Sequence, residues 1–186
     1  MFVSHLECSL TGEHYPAGQP HNLSKAGKPL LVRYDSDRAR QTMTRQSLAA
    51  RQPGMWKWRE LLPLAEEVEP VSLGEPETPI IPLRVTASKA GTKSLLVKDE
   101  GRLPTGSFKA RGLTMAVSMA KQFGIRSVAL PTNGNAGAAL AAYAARAGWK
   151  RSSSVPRKRR KSMFAKPRPT ALGCGWRTGR STNAAD

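Results

Sequence analysis

The sequence predicts an α/β fold, part of a doubly covered, mostly parallel sheet, followed by a disordered basic tail. Three observations carry that prediction. Between Ser94 and Gly148, short apolar runs alternate with helix-period segments in the order strand, helix, strand, helix. Each helical segment stops at a glycine, Gly124 or Gly148. Beyond Trp149 the periodicity ends and the charge climbs: residues 150–186 hold 11 of the 30 Lys and Arg residues and one of the 13 acidic ones.

Before Ser94 the pattern is mixed. A loop-rich entry leads to an extended run at Pro29–Tyr34, then to a polar stretch of helical composition from Asp37 to Arg51, for which Asp35 and Ser36 are candidate caps. Gly54–Leu64 reads as a loop with a short helix. The passage rich in Pro, Gly and Glu from Pro70 to Pro82 reads as a surface crossing with a short strand.

The stronger signal follows. Ser94–Lys98 is a predicted strand and Arg111–Phe123 a predicted helix, with apolar residues at Leu113, Met115, Ala116, Val117, Met119 and Ala120. Ser127–Leu130 is a short apolar run closed by Pro131, as expected of a parallel strand covered on both faces. The Ala-rich segment Ala136–Ala147 is a predicted helix. After Gly148 an α/β chain should deliver another strand. Lys150-Arg151-Ser152-Ser153-Ser154 has no apolar residue to make one, and the domain is expected to end there.

Charge and cysteine content bound the function. The net charge is +17, of which +10 belongs to residues 150–186 and +7 to the remainder. The cluster Arg157–Lys161 suits a nucleic-acid arm, but no base-reading motif accompanies it, so nucleic acid is not an expected partner. An inert tail, or one translated out of frame, accounts for the same composition. Cys8 and Cys174 make no disulfide framework, which points to a reducing compartment. No run approaches the ~20 apolar residues of a membrane span. A cytoplasmic protein without a membrane partner is expected.

Two turns carry candidate chemistry. In Asp99–Gly112, Ser107 is a candidate cap and Lys109 falls in the first helical turn, where burial, the helix end and Arg111 would favour a neutral amine fit for Schiff-base chemistry. A solvated lysine fits the same spacing. In Pro131–Ala138, Gly134 permits a tight path, and Ala136 and Gly137 would let an anion approach free N–H groups beside Asn135. A plain Asn helix cap fits as well. Both turns are expected at the carboxyl ends of adjacent strands, the usual ligand position in an open α/β sheet.

The segment Lys98-Asp99-Glu100-Gly101, continued by Pro104-Thr105-Gly106-Ser107-Phe108-Lys109-Ala110-Arg111-Gly112 and followed by Asn133-Gly134-Asn135-Ala136-Gly137, resembles the pyridoxal-phosphate-dependent β-family (fold type II), and within it the threonine synthases. Leu73-Gly74-Glu75-Pro76-Glu77-Thr78-Pro79 resembles the family's entry segment Leu-Gly-Glu-x-x-Thr-Pro, and Met55–Pro63 the stretch before it. The resemblance runs from about Cys8 to Gly148. It implies pyridoxal 5′-phosphate as cofactor, Lys109 as the lysine that carries it, and Asn135 as a hydrogen-bond partner of its 3′ oxygen. It further implies that Thr132, Asn133, Gly134 and Ala136 receive the carboxylate of a small phosphorylated amino acid. The implied reaction is the conversion of O-phosphohomoserine to threonine and phosphate, in an intact enzyme that can be a homo-oligomer.

The sequence departs from the family in several places. Asn133 stands where much of the family has Ser, and Ala110 where many members have Asp. Many relatives begin with a zinc-ribbon-like module. Here Cys8–Gly12 and Leu23–Gly27 keep its frame with a single thiol, and no metal is expected even with His5, His14 and His21 nearby. The implied division is a degenerate ribbon over 1–34, a helical linker over 35–69, a partial cofactor-binding domain over 70–149 and the tail over 150–186. Without the family's phosphate-cradling loop, the chain is expected to be an inactive amino-terminal part. A threonine or serine dehydratase or a diaminopropionate ammonia-lyase is the alternative within the class, and a basic nucleic-acid-binding protein the alternative outside it.

Overall fold

A computed structural model describes residues 2–132 and 134–154. The chain opens with a three-stranded antiparallel sheet in the order β2-β1-β3: β1 (Val3–Cys8), β2 (His14–Tyr15) and β3 (Leu30–Tyr34). Glu7 lies opposite both His14 and Leu31, so β1 is the central strand. The turns on either side of the central strand are closed by Gly12 N–H on the Cys8 carbonyl and Gly27 N–H on the Ser24 carbonyl.

The polar stretch that follows forms two short helices, α1 (Ser36–Thr42) and α2 (Arg45–Ala49). Asp35 caps the first by accepting from the Arg38 N–H at 2.9 Å, and Thr44 with Ser47 forms a capping box at the second. These caps stabilise segments too short to hold together by helix propensity alone. A 3₁₀ segment at Met55–Leu61 follows.

The passage from Pro70 to Pro82 corrects the expectation of a surface crossing, because Val71, Glu75 and Thr78 are all buried. Its end forms β4 (Ile80–Pro82), which leads through α3 (Arg84–Lys89) to β5 (Leu96–Lys98). The strands β4 and β5 pair antiparallel as a separate two-stranded ribbon.

Next come α4 (Lys109–Gln122), β6 (Ser127–Pro131), α5 (Asn135–Arg146) and β7 (Lys150–Ser154). The strands β6 and β7 pair in parallel from Ser127 opposite Lys150 to Pro131 opposite Ser154, with α5 as the crossover. This corrects the sequence reading at two points. The basic, serine-rich run after Gly148 is a strand, because a parallel ladder is made by backbone groups and the crossover helix returns the chain to the β6 edge. And β5 is not a neighbour of β6, so the two candidate turns do not follow adjacent strands. The described residues contain one parallel pair within three small sheets; a doubly covered parallel sheet is not formed among them.

The core lies where α4, α5 and β6 meet. Val71, Leu103, Ala110, Val117, Ala139, Leu140 and Tyr143 are buried together, with Val128, Leu130 and Trp149 packed against them. The buried face of α4 is Ala110, Thr114, Val117 and Ser118, a helical stripe with two hydroxyls in it. Both hydroxyls have a structural use: Thr114 Oγ1 donates to the Val71 carbonyl at 2.7 Å, and Ser118 Oγ accepts from the Val71 N–H at 2.8 Å. The helix clasps a coil residue as a neighbouring strand would. No helix among the described residues is long and apolar enough to cross a membrane. The remainder of the tail, including the Arg157–Lys161 cluster and Cys174, lies outside the described residues.

Candidate functional site

Lys109 is the first residue of α4 and is half-buried. Its Nζ stands 4.3 Å from the centroid of the exposed Phe108 ring, and among the described residues no carboxylate pairs with it. Arg111 does not act as the unpaired neighbouring cation that the sequence suggests. Its guanidinium grips Glu100 through two bonds, Nε to Oε2 at 2.6 Å and Nη2 to Oε1 at 2.9 Å. The Arg111 guanidinium, despite partial burial, holds the Glu100 carboxyl down at about 2, with help from the Thr78 hydroxyl at 2.6 Å.

The expected Ser107 cap is absent. The residue before α4 is Phe108, in helical conformation and with no side-chain cap, and Ser107 serves through its backbone carbonyl, which accepts from the Ala110 N–H. The hydroxyl oxygens of Thr105 and Ser107 are buried without a hydrogen-bond partner among the described residues. Buried hydroxyls are seldom left so, since each forgoes about 1–3 kcal/mol. The loop before Lys109 therefore has polar capacity in hand, and a half-buried amine without a counter-charge is chemically suited to a carbonyl-bearing cofactor such as pyridoxal phosphate.

The second turn is organised around Thr132. This residue is buried, and its Oγ1 accepts from the Gly134 N–H at 3.2 Å and from the Gly137 N–H at 3.0 Å. A Cβ on Gly137 would meet Thr132 Cγ2 at 2.5 Å. These N–H groups were expected to be free for an anion, and the bare Gly137 to admit a ligand. Instead the Thr132 side chain fills the space and caps the helix. Gly134 takes a φ of 155°, which a side chain would oppose. Asn135 opens α5 and is exposed, Ala136 is partly buried, and Asn133 lies outside the described residues. Lys109 and Asn135 thus each begin one helix of the packed pair α4 and α5.

Sequence reasoning missed Glu75 as a hub. It is buried and accepts four hydrogen bonds: Trp56 Nε1–H at 2.8 Å and Ser72 O–H at 2.6 Å on one oxygen, Leu73 N–H at 2.9 Å and Tyr143 O–H at 2.6 Å on the other. Burial pushes this carboxyl up, but the bonds from Ser72, Tyr143, Leu73 and Trp56 outweigh it and hold the group below the usual range. Burial and Glu75 together push the Tyr143 hydroxyl well above its ordinary value. The available signal was the Leu-Gly-Glu-x-x-Thr-Pro spacing itself. Glu75 ties the entry segment to α5, and Thr78 ties it through Glu100 to Arg111 on α4.

In the amino-terminal sheet, Cys8 is buried, with its sulfur 3.1 Å from Ser24 Oγ and accepting from the Thr11 N–H at 3.4 Å. The Ser24 hydroxyl, with Thr11, brings the thiol down to about 7. The two facing turns are held by these contacts. Of the three histidines, His21 stands apart, its Nε2 2.9 Å from the Pro16 carbonyl, whereas the His5 and His14 rings stack with centroids 3.9 Å apart.

Comparison with known proteins identifies the family. A family model described as pyridoxal-phosphate dependent enzyme matches residues 71–169, beyond the Gly148 limit read from sequence. The chain is 36% identical over 143 residues to a threonine synthase of Methanocaldococcus jannaschii, covering 77% of this chain and 35% of that protein. It is 41% identical over 145 residues to one of Methanosarcina acetivorans, with the same coverage, and 49% identical over 92 residues to one of Halalkalibacterium halodurans, covering 50% of this chain and 26% of that protein. The chain thus spans about a third of the length of the first two relatives. With Lys109, the Glu75 hub and the α4–α5 core all inside the matched span, the chain belongs to the pyridoxal-phosphate-dependent enzyme family.

Proposed function

We propose that this chain is the lysine-bearing part of a threonine synthase-like enzyme, which releases phosphate from O-phosphohomoserine to form threonine. The observation that carries the proposal is Lys109: a half-buried amine without a carboxylate partner among the described residues, at the start of a helix anchored by the Glu100–Arg111 pair. Bound there, pyridoxal phosphate supplies an electron sink beside the substrate's α-carbon. Lys109 would hold the cofactor, and its amine, once released, would take up and return a proton. Asn135 would hydrogen-bond the cofactor's 3′ oxygen from the start of α5. Gly134 and Ala136, with Asn133, would receive the substrate carboxylate. Thr132 is assigned a supporting role, since its hydroxyl already holds the Gly134 and Gly137 N–H groups.

The same contact limits what the described residues do alone. With the Gly134 and Gly137 N–H groups occupied, fewer donors at the start of α5 are open to an anion, and the isolated chain is expected to hold the cofactor poorly and not to turn over. A chimera of residues 1–149 with the remaining portion of the Methanosarcina acetivorans relative tests the reaction. It should release phosphate from O-phosphohomoserine and lose that activity with Lys109→Ala. Formation of a 2-oxo acid from threonine or serine, without phosphate release, would favour a dehydratase instead.

A further inference from the structure

We propose that the paired strands β1 and β2 carry a divalent transition-metal site made by His5, Glu7 and His14. His5 and Glu7 are two apart on β1 and so share a face, and the strand register sets His14 directly opposite Glu7. One ligand atom from each residue falls within a common 4.8 Å. This is a mixed imidazole and carboxylate set, of the kind that suits zinc and its neighbours.

The orientation of His5 is an independent pointer. Its Nδ1 lies 2.9 Å from Ser4 Oγ, and that hydroxyl is within donating distance, 3.2 Å, of the Arg33 carbonyl. A hydroxyl that donates to the carbonyl must accept from Nδ1–H, which leaves the Nε2 lone pair bare. Nε2 is buried and has no hydrogen-bond partner among the described residues, and Glu7 Oε2 is 3.9 Å away. An imidazole fixed by a hydroxyl on one nitrogen and bare on the other is the arrangement of a metal-ligating histidine with its outer partner.

Glu7 is already held by Arg33, Nε to Oε2 at 2.9 Å and Nη2 to Oε1 at 2.7 Å. Each carboxylate oxygen keeps a second lone pair for an ion. Ligands around tetrahedral zinc stand roughly 3.4 Å apart, from bond lengths of about 2.0–2.1 Å, so the 3.9 Å between His5 Nε2 and Glu7 Oε2 has to shorten slightly on binding, and His14, which is exposed, has room to turn into the third position. Three protein ligands leave the fourth position to water. The site is separate from the Cys8–Ser24 contact, which holds the one buried thiol among the described residues.

Zinc titrated calorimetrically into the tag-free full chain should bind at one ion per chain. Cobalt in its place should give a tetrahedral visible spectrum without a thiolate-to-cobalt band in the near ultraviolet. His14→Gln should weaken binding at least tenfold with an unchanged far-ultraviolet dichroism spectrum. Glu7→Asp, which keeps a charge for Arg33 but withdraws the carboxylate, should also weaken it, and His21→Gln should leave it unchanged. Absence of saturable binding, indifference to His14→Gln, or a thiolate band would overturn the assignment.

Discussion

Glu75 is a carboxylate buried among four neutral donors and without a paired cation among the described residues. Its stability rests on acceptance alone, so an isosteric change is more damaging than a truncation nearby. Glu75→Gln sets an amide N–H against a buried donor and should cost about 2–4 kcal/mol, whereas Tyr143→Phe removes one donor and should cost about 1 kcal/mol. Urea denaturation of both variants decides whether that order holds. Glu100 makes the corresponding statement about pH. Its carboxyl is at about 2 in the folded chain against an ordinary 4.5, so the stability it contributes is fully present above about 4.5 and is lost as pH falls toward 2. Glu100→Gln should therefore flatten the dependence of stability on pH across that window. An unchanged slope would mean that the Arg111 contact is not maintained in solution.

At the scale of elements, the junction of β6 and α5 makes an unusual prediction about glycine. Alanine in place of a helical glycine ordinarily stabilises by up to about 1 kcal/mol. Here the new Cβ would meet Thr132 Cγ2 at 2.5 Å, so Gly137→Ala should destabilise by about 1–3 kcal/mol. Adding Thr132→Ser, which removes that methyl and keeps the capping oxygen, should restore most of the loss. The helices α4 and α5 and the strand β6 were legible in the sequence because their apolar spacing and terminal glycines are local signals. The partners were not. Thr114 and Ser118 read as breaks in an apolar stripe until Val71 is seen between them, and Glu75 reads as surface until Trp56 and Tyr143 converge on it. The strand β7 was missed because its residues carry no apolar alternation and its ladder comes from the β6 edge alone. At the candidate site, the placing of Lys109 and Asn135 at two helix starts was legible from motif spacing. The inward turn of Thr132 was not, since it depends on the closeness of a glycine five residues on.

For the molecule as a whole, the ribbon of β4 and β5 leaves Ile80 and Leu96 more than half exposed, as is Val85 on α3. A two-stranded apolar ribbon with no further strand paired to it among the described residues is a surface for association. Sedimentation of the chain should show concentration-dependent self-association, reduced by Ile80→Lys with Leu96→Lys; a monomer at all concentrations would contradict this. The charge also changes meaning at this scale. The +7 outside residues 150–186 is modest, and the larger share lies in a segment whose first five residues join the sheet. Lys109, among all the lysines of this chain, is the one expected to take the cofactor. Incubation of the chimera of residues 1–149 with pyridoxal phosphate, reduction with borohydride and peptide mapping by mass spectrometry measures that directly. The label should concentrate on Lys109 and disappear in Lys109→Ala with no rise elsewhere, whereas a label spread over the exposed lysines and indifferent to that substitution would contradict the account.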